Sequence, residues 1–310
     1  MPLPRAAAID IGTNSVLLLV AERGPGGPLR AVREEVRITR LGQGVDRTGS
    51  LAPEAIARTL ASVGDYARIL DELGVERRAA LGTAALRDAQ NGAAFLGPAQ
   101  RVLGCEVEVI SGEREASLVL SAVRSAFGGL PDRTLVLDVG GGSTELILAE
   151  ADRLLDLTSL QLGSVRLTER HVRHDPPTPD ELRAVAADVA RSLATLPATF
   201  SSPPARLIGV AGTVTTLATV ELGLARYDAD RVNGCVLSRE QVAGVIDRLA
   251  ALPLVERRGV IGLEPARADV IVAGALIVKT VAEHFGLSAV TVSDRGVRWG
   301  RAAELLPPEI

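Results

Sequence analysis

Lysine is all but absent from this 310-residue chain: Lys279 stands alone, and the other 33 of its 34 basic residues are arginine. A Walker A loop needs Gly-Lys-Ser/Thr, whereas the sole lysine sits in Val278-Lys279-Thr280, so the chain is not a P-loop NTPase. Arginine suits bidentate phosphate contacts, although a GC-rich genome would bias composition the same way. Cysteine is nearly as scarce. Cys105 and Cys235 lie far apart without CxxC spacing, which argues against a zinc site or disulfide framework and reads as two core thiols in a reducing compartment. The most apolar late run, Val270 to Val278, falls well short of the ~20 residues that span a bilayer. The N-terminal MPLPRAAAIDIG has no signal-peptide apolar region before its first strand, so a cytoplasmic location is expected. Nor is there an excess of positive charge. A net charge of −4 argues against nucleic-acid or membrane-surface binding, and a polyanion would have to meet a local arginine patch. His171 and His174 lack an HExxH pattern or a third ligand and read as a surface helix end.

What the chain does contain, twice, is a device suited to a phosphate chain. Ala6 to Val20 (AAAIDIGTNSVLLLV) and Thr134 to Ala149 (TLVLDVGGGSTELILA) each run strand, Asp, Gly-rich turn, hydroxyl residue, strand. Asp10 is followed by Gly12, Thr13, Asn14 and Ser15, and Asp138 by Gly140, Gly141, Gly142, Ser143 and Thr144. Glycine lets the backbone approach an anion and aim N–H groups at it, and a carboxylate can hold a metal that neutralises the oxygens. The second copy is the more specific, because three consecutive glycines between apolar strands carry an entropic cost that packing does not explain.

The order of elements alternates strand and helix, which reads as α/β. Strands Ala7 to Ile11 and Val16 to Ala21 form a tight hairpin, and a third strand follows near Ala31 to Leu41. Pro53 opens a helix whose Ile56, Leu60, Val63, Ala67 and Leu70 recur three and four apart on one face. Later elements are a strand near Arg78 to Gly82, a helix over Ala89 to Leu103, a strand at Glu106 to Ile110 and a helix at Glu113 to Phe127. Gly128-Gly129-Leu130-Pro131 is the expected boundary, after which the strand pair and the alternation begin again. A length of 310 residues with 47% hydrophobic content fits two cores of ordinary size. A Gly-rich hairpin heading each half resembles the actin-like, ribonuclease-H-like two-domain fold, which places its ligand in the cleft between halves. The expected class is therefore α/β, a duplicated ribonuclease-H-like (actin-like ATPase) fold with domains over 1–130 and 131–310. The last helix, about 295–310, is expected to pack back on the first domain.

Other segments carry both a chemical and a structural reading. Gly212 and Thr213 open a helix after strand Arg206 to Val210, where free N–H groups bind phosphate or Thr213 simply caps. In Ser111-Gly112-Glu113-Arg114-Glu115-Ala116, first-turn glutamates either serve catalysis or answer the helix dipole. Arg87, in the loop Thr83 to Asn91, faces an anion or solvent, and the basic run Arg295 to Arg301 offers phosphate contacts or a solvated face.

Five separated segments, Asp10 to Ser15, Thr83 to Asn91, Ser111 to Ala116, Asp138 to Glu145 and Gly212 to Ala218, together resemble the exopolyphosphatase and guanosine pentaphosphate phosphohydrolase family. Leu162 to Arg170 and Ser293 to Gly296 extend the similarity along the whole chain. The resemblance implies Mg²⁺-dependent hydrolysis of a terminal phosphoanhydride, with Mn²⁺ as the alternative metal. It implies Glu115 on the attacking water and Arg87 on the transferred phosphate. It places Mg²⁺ on Asp138 and Glu145, with Asp10 as a second metal contact. Backbone amides over Gly12–Ser15 and Gly140–Ser143 would offset the equatorial charge. Implied partners are inorganic polyphosphate or guanosine pentaphosphate and a second copy of the chain, with no nucleic acid and no membrane. An actin-fold kinase or ATPase, and a non-catalytic polyphosphate or guanosine tetraphosphate sensor, are the rival readings. Two positions depart from the family pattern: Arg114 stands where a second acid precedes Ala116, and Trp299 replaces an acidic residue.

Overall fold

Alternate residues of a strand face opposite sides of its sheet, and in the first strand both sides are covered. Ala7, Ile9 and Ile11 point into one apolar cluster while Ala6 and Ala8 point into another. The structure, a computed structural model, describes residues 3–307. Its first compact unit comprises residues up to Ala122 together with those from Val297 onward, and its second runs Val123–Gly296. This division falls inside a helix, upstream of the Gly128–Pro131 punctuation.

In chain order the first ten elements are β1 (Arg5–Ile11), β2 (Ser15–Arg23), β3 (Leu29–Ile38), α1 (Val45–Thr48), α2 (Pro53–Glu72), β4 (Arg77–Gly82), α3 (Ala84–Asp88), α4 (Ala93–Leu103), β5 (Val107–Val109) and α5 (Gly112–Phe127). Then come β6 (Thr134–Val139), β7 (Thr144–Glu150), β8 (Arg153–Leu160), α6 (Ser164–His171), α7 (Pro179–Leu193), β9 (Arg206–Val210), α8 (Ala211–Glu221), α9 (Ala229–Val232) and β10 (Val236–Ser238). The chain ends with α10 (Arg239–Ala250), α11 (Leu254–Arg257), α12 (Ile271–His284), β11 (Ala289–Val292) and α13 (Val297–Leu305).

The first sheet has the order β3-β2-β1-β4-β5, and the second, read from its far edge, β8-β7-β6-β9-β11-β10. In each, the first three strands are antiparallel neighbours and the next two join parallel to the first. This is the duplicated ribonuclease-H-like, actin-like α/β plan, with β10 added antiparallel at one edge. The helix expected over Ala89–Leu103 starts later, at Ala93, as α4, and a separate short helix, α3, occupies Ala84–Asp88 in the stretch expected as a loop. The short strand β10 carried no sequence signal: three residues are too few for an alternation to register.

In unit one, Val63, Tyr66 and Leu70 of α2 and Phe95 and Leu103 of α4 cover one sheet face. The other face, lined by Ala6, Ala8, Leu19 and Ala21, receives Trp299, Ala302 and Leu306 from α13 and its end. Trp299 is therefore a core residue. Small side chains on β1 let that helix lie close, and a Cβ at Gly300 would strike the backbone of Leu118 on α5. Arg114 has a structural partner too: it meets Glu304 of α13 at 2.7 Å, and Glu304 also takes Arg301 at 2.8 Å. In unit two, α7, α8, α10 and α12 pack on the sheet, with α12 almost wholly buried. The two cysteines are free and half-buried, at the margins of these cores. No helix among the described residues is long and apolar enough to cross a membrane.

Candidate active site

The two Gly-rich hairpins share one hydrogen-bonding plan. In the first, Gly12 N–H donates to Ser15 O at 2.9 Å; in the second, Gly140 N–H donates to Ser143 O at 3.0 Å. Neither Gly12 nor any of Gly140–Gly142 has a positive φ. Close approach within the turn is what glycine provides there: a Cβ would lie 3.2 Å from Ser15 O at Gly12 and 3.0 Å from Ser143 O at Gly140. Both turns sit at the carboxyl ends of parallel strand pairs, β1/β4 and β6/β9, where open α/β sheets bind ligands.

The pairing then separates the two copies. Asp138 stands directly opposite Glu145, whereas Asp10 stands opposite Leu17. Asp138 and Glu145 are 6% and 1% exposed, and Ser159 Oγ donates to Glu145 Oε1 at 2.8 Å. Opposed residues of an antiparallel pair bring their side chains within ~5 Å. The donor set is all oxygen, the chemistry a hard cation such as Mg²⁺ takes. Among the described residues no three His, Cys, Asp or Glu side chains gather into a metal cluster. Mg²⁺ is commonly held by one or two carboxylates and completed by water and substrate phosphates.

In unit one, Asp10 finds its acidic neighbour elsewhere. It is half-buried, its Oδ1 is closed off from solvent, and that atom has no hydrogen-bond partner among the described residues. Burial, reinforced by the nearby Glu115 carboxylate and opposed by Arg298, pushes its pKa up to about 7. Glu115 is 8% exposed, and burial raises its carboxyl too, against the pull of Arg87. Arg87 Nη1 donates to Glu115 Oε2 at 2.8 Å and to Ile110 O at 2.9 Å, while its Nη2 is buried and unmatched among the described residues. Arg87 is thus not a solvated surface residue. The rest of the first turn of α5 answers the helix end: Ser111 Oγ accepts from Arg114 N–H, and a hydrogen bond with Ser111 holds Glu113 below the usual carboxylate range. Glu113 takes the dipole-related role and Glu115 is left to face Arg87.

Thr13 and Asn14 complete this side. The hydroxyl of Thr13 and both amide atoms of Asn14 are buried without hydrogen-bond partners among the described residues. Folded proteins satisfy about nine-tenths or more of such atoms with protein or ordered water, so their concentration on one hairpin is unusual.

In unit two, Gly212 and Thr213 lie in the first turn of α8, but Thr213 does not cap it. The N-cap is Val210, with no side-chain cap bond, and Ala211 takes a left-handed φ of 68°. Thr213 Oγ1 instead donates weakly to Val139 O at 3.4 Å, behind the second hairpin. Thr144 is fully buried and its hydroxyl donates to Leu162 O at 2.8 Å, bracing the turn.

Gly163, Arg166, Arg267 and Arg298 also shape these sites, through contacts that the sequence does not display. Ser164 N–H donates to Gly140 O, and Val165 and Arg166 N–H to Gly141 O, so the start of α6 grips the glycine carbonyls. Arg166 Nε adds a bond to Gly142 O at 2.7 Å. A Cβ at Gly163 would collide with the Gly141 carbonyl, which is why this residue precedes the helix. Arg267 lays its guanidinium on Gly212, where any Cβ would meet it. Arg298 reaches Leu18 O at 3.1 Å and Glu34 at 2.6 Å and bears on Asp10. A glycine before a helix and isolated arginines are common enough that only the contact identifies them.

A profile described as the Ppx/GppA phosphatase family matches residues 19–309. A Mycobacterium tuberculosis protein named exopolyphosphatase 2 is 38% identical, covering 98% of this chain and 99% of that one. A Vibrio cholerae guanosine-5'-triphosphate,3'-diphosphate pyrophosphatase is 31% identical over 98% of this chain and 59% of its own length. The crystal structure of the Aquifex aeolicus Ppx/GppA family member matches with a TM-score of 0.81 and 35% identity, covering 98% of each chain.

Proposed function

The chain belongs to the Ppx/GppA phosphatase family, and from that premise we propose that it is an exopolyphosphatase that releases orthophosphate from the end of inorganic polyphosphate and also acts on guanosine pentaphosphate. One observation carries the assignment of roles: a nearly buried Glu115, its basicity raised by burial, held 2.8 Å from Arg87 in the same unit as a hairpin with unmatched polar atoms. Glu115 is the residue that takes a proton from the attacking water as its oxygen bonds to the terminal phosphorus. The bridging P–O bond breaks and the shortened chain leaves. Arg87, with Nη2 still available as a donor, offsets charge on the transferred group. The amides over Gly12–Ser15 and Gly140–Ser143, and those at Gly212 and Thr213, orient phosphate oxygens.

Bound Mg²⁺, or Mn²⁺ in its stead, would neutralise phosphate oxygens and polarise the scissile group. Asp138 and Glu145 are the residues to hold it, and Asp10 is the candidate carboxylate of the first hairpin. The protein is further proposed to work in the cytoplasm as a homodimer, without nucleic acid. The relatives' names give no support to a kinase or a sensor.

The test compares phosphate release from short polyphosphate, long polyphosphate, guanosine pentaphosphate and ATP, each with Mg²⁺ and with EDTA. Release from polyphosphate or guanosine pentaphosphate, lost in EDTA, is expected; none from either substrate overturns the reading. Glu115→Gln should lower turnover at least ~100-fold, the scale of general-base catalysis, while keeping ligand binding. Unchanged turnover would remove Glu115 from this role.

A further inference from the structure

The first hairpin is roofed by the loop that follows β3. Thr39 and Arg40 N–H both donate to Asn14 O, at 3.0 and 2.9 Å, and Gly42 N–H donates to Thr13 O at 2.9 Å. The loop lies so close that a Cβ at Gly42 would collide with the Thr13 methyl. Arg58 of α2 fixes it from the other side, donating from Nε to Thr39 O at 3.1 Å. Thr39 therefore has both backbone polar groups engaged and sits immediately beside Asn14.

Its hydroxyl is another matter. Thr39 is 3% exposed, and its Oγ1 has no hydrogen-bond partner among the described residues. Asn14, 5% exposed, is in the same condition at both amide atoms, and so is the Thr13 hydroxyl. A buried hydroxyl left unmatched destabilises the fold, and a valine of the same shape would avoid that. Neither the packing of the loop nor its backbone bonds uses this oxygen. Thr39 and Asn14 are held next to each other by the Thr39 N–H bond to Asn14 O, and Thr13 precedes Asn14 in the same turn.

We infer that Thr39 is a further substrate-binding residue: its hydroxyl, with the Asn14 amide, donates to a phosphoryl oxygen of the phosphate chain at the first hairpin. Asn14 Oδ1 is an acceptor, which a bare phosphate cannot satisfy and which water accompanying the phosphate can. The loop from Thr39 to Gly42 is thus part of the binding surface as well as a brace. This inference rests on the hydrolase reading for the identity of the ligand, and it has its own test.

Inorganic triphosphate with Mg²⁺ is titrated calorimetrically into the full-length Glu115→Gln protein, alone and combined with Thr39→Val or Thr39→Ser. Thermal unfolding of each variant is recorded without ligand. A hydrogen bond to a charged oxygen predicts that Thr39→Val weakens binding about ten-fold or more. Thr39→Ser, which keeps the hydroxyl, should bind within about two-fold of the parent, on the same reasoning. The unfolding midpoint of Thr39→Val should be equal to or above the parent's, which a purely structural hydroxyl would not allow. Equal triphosphate affinity in Thr39→Val overturns the inference, as does a loss in Thr39→Ser as large as that in Thr39→Val. Triphosphate binding by the Glu115→Gln parent, when the unsubstituted protein releases no phosphate, counts against the hydrolase reading and leaves the Thr39 comparison decisive. A parent that does not bind triphosphate overturns the phosphate assignment of this hairpin and Thr39's role with it.

Discussion

Asp10 is the residue whose environment most changes its chemistry. A carboxyl raised from its ordinary 3.8 to about 7 holds its proton in the folded state while the unfolded chain has already released one. The native state then binds more protons between those values, so the contribution of Asp10 to stability is full below about pH 4 and falls as pH rises toward 7. Urea titrations in EDTA at half-unit steps should show this decline, with a shallower slope in Asp10→Asn. An equal slope would mean that Asp10 is ionised throughout. Glu115 shifts the same way and keeps part of the slope in the variant. Arg87→Met removes the guanidinium that donates to Glu115 Oε2. With Arg87 gone, burial acts unopposed and pushes the Glu115 carboxyl further toward its protonated form. The expected cost is about 1–3 kcal/mol at neutral pH, read by urea unfolding, below the cost of stranding an ion.

Elements, more than residues, explain why the second hairpin is so rigidly placed. The start of α6 donates three backbone N–H groups to the carbonyls of Gly140 and Gly141, and Gly163 is what permits the approach. Gly163→Ala forces backbone against backbone, so a loss of about 1–3 kcal/mol is expected, the scale of overpacking in a filled interior. Calorimetry should show weakened triphosphate binding alongside it; a variant with parental stability would mean that α6 can shift freely. The hairpins themselves were legible in the sequence, because Asp, glycine and hydroxyl residues between apolar strands form an unusual local pattern. The duplicated α/β plan followed from reading that pattern twice. Contacts that join distant segments were not legible. Leu17 opposite Asp10 and Glu145 opposite Asp138 follow from register, and nothing local told Glu115 from Glu113 until Arg87 and Ser111 chose between them. Thr39 left no trace in composition or spacing, since one threonine at a strand end is ordinary; only burial without a partner singles it out.

At the scale of the molecule, the first unit is closed by the last helix. Ala6, Ala8, Leu19 and Ala21 would meet water without Trp299, Ala302 and Leu306 above them. Truncation after Gly296 is therefore expected to leave unit one loosened and binding a hydrophobic dye, with a separate, less affected transition from unit two. Retention of the full-length unfolding profile would show that the helix contributes little. Gly300→Ala tests the same seat more gently, since its new methyl meets the Leu118 backbone. The discontinuity also bears on biosynthesis. Unit two is one uninterrupted stretch, Val123–Gly296, while unit one needs residues from both ends of the chain. On a ribosome adding ~5–20 residues per second, domains fold as they emerge. The half whose synthesis begins first is the half that must wait for the final helix, holding an uncovered alanine-lined sheet face while its successor already has every residue it requires.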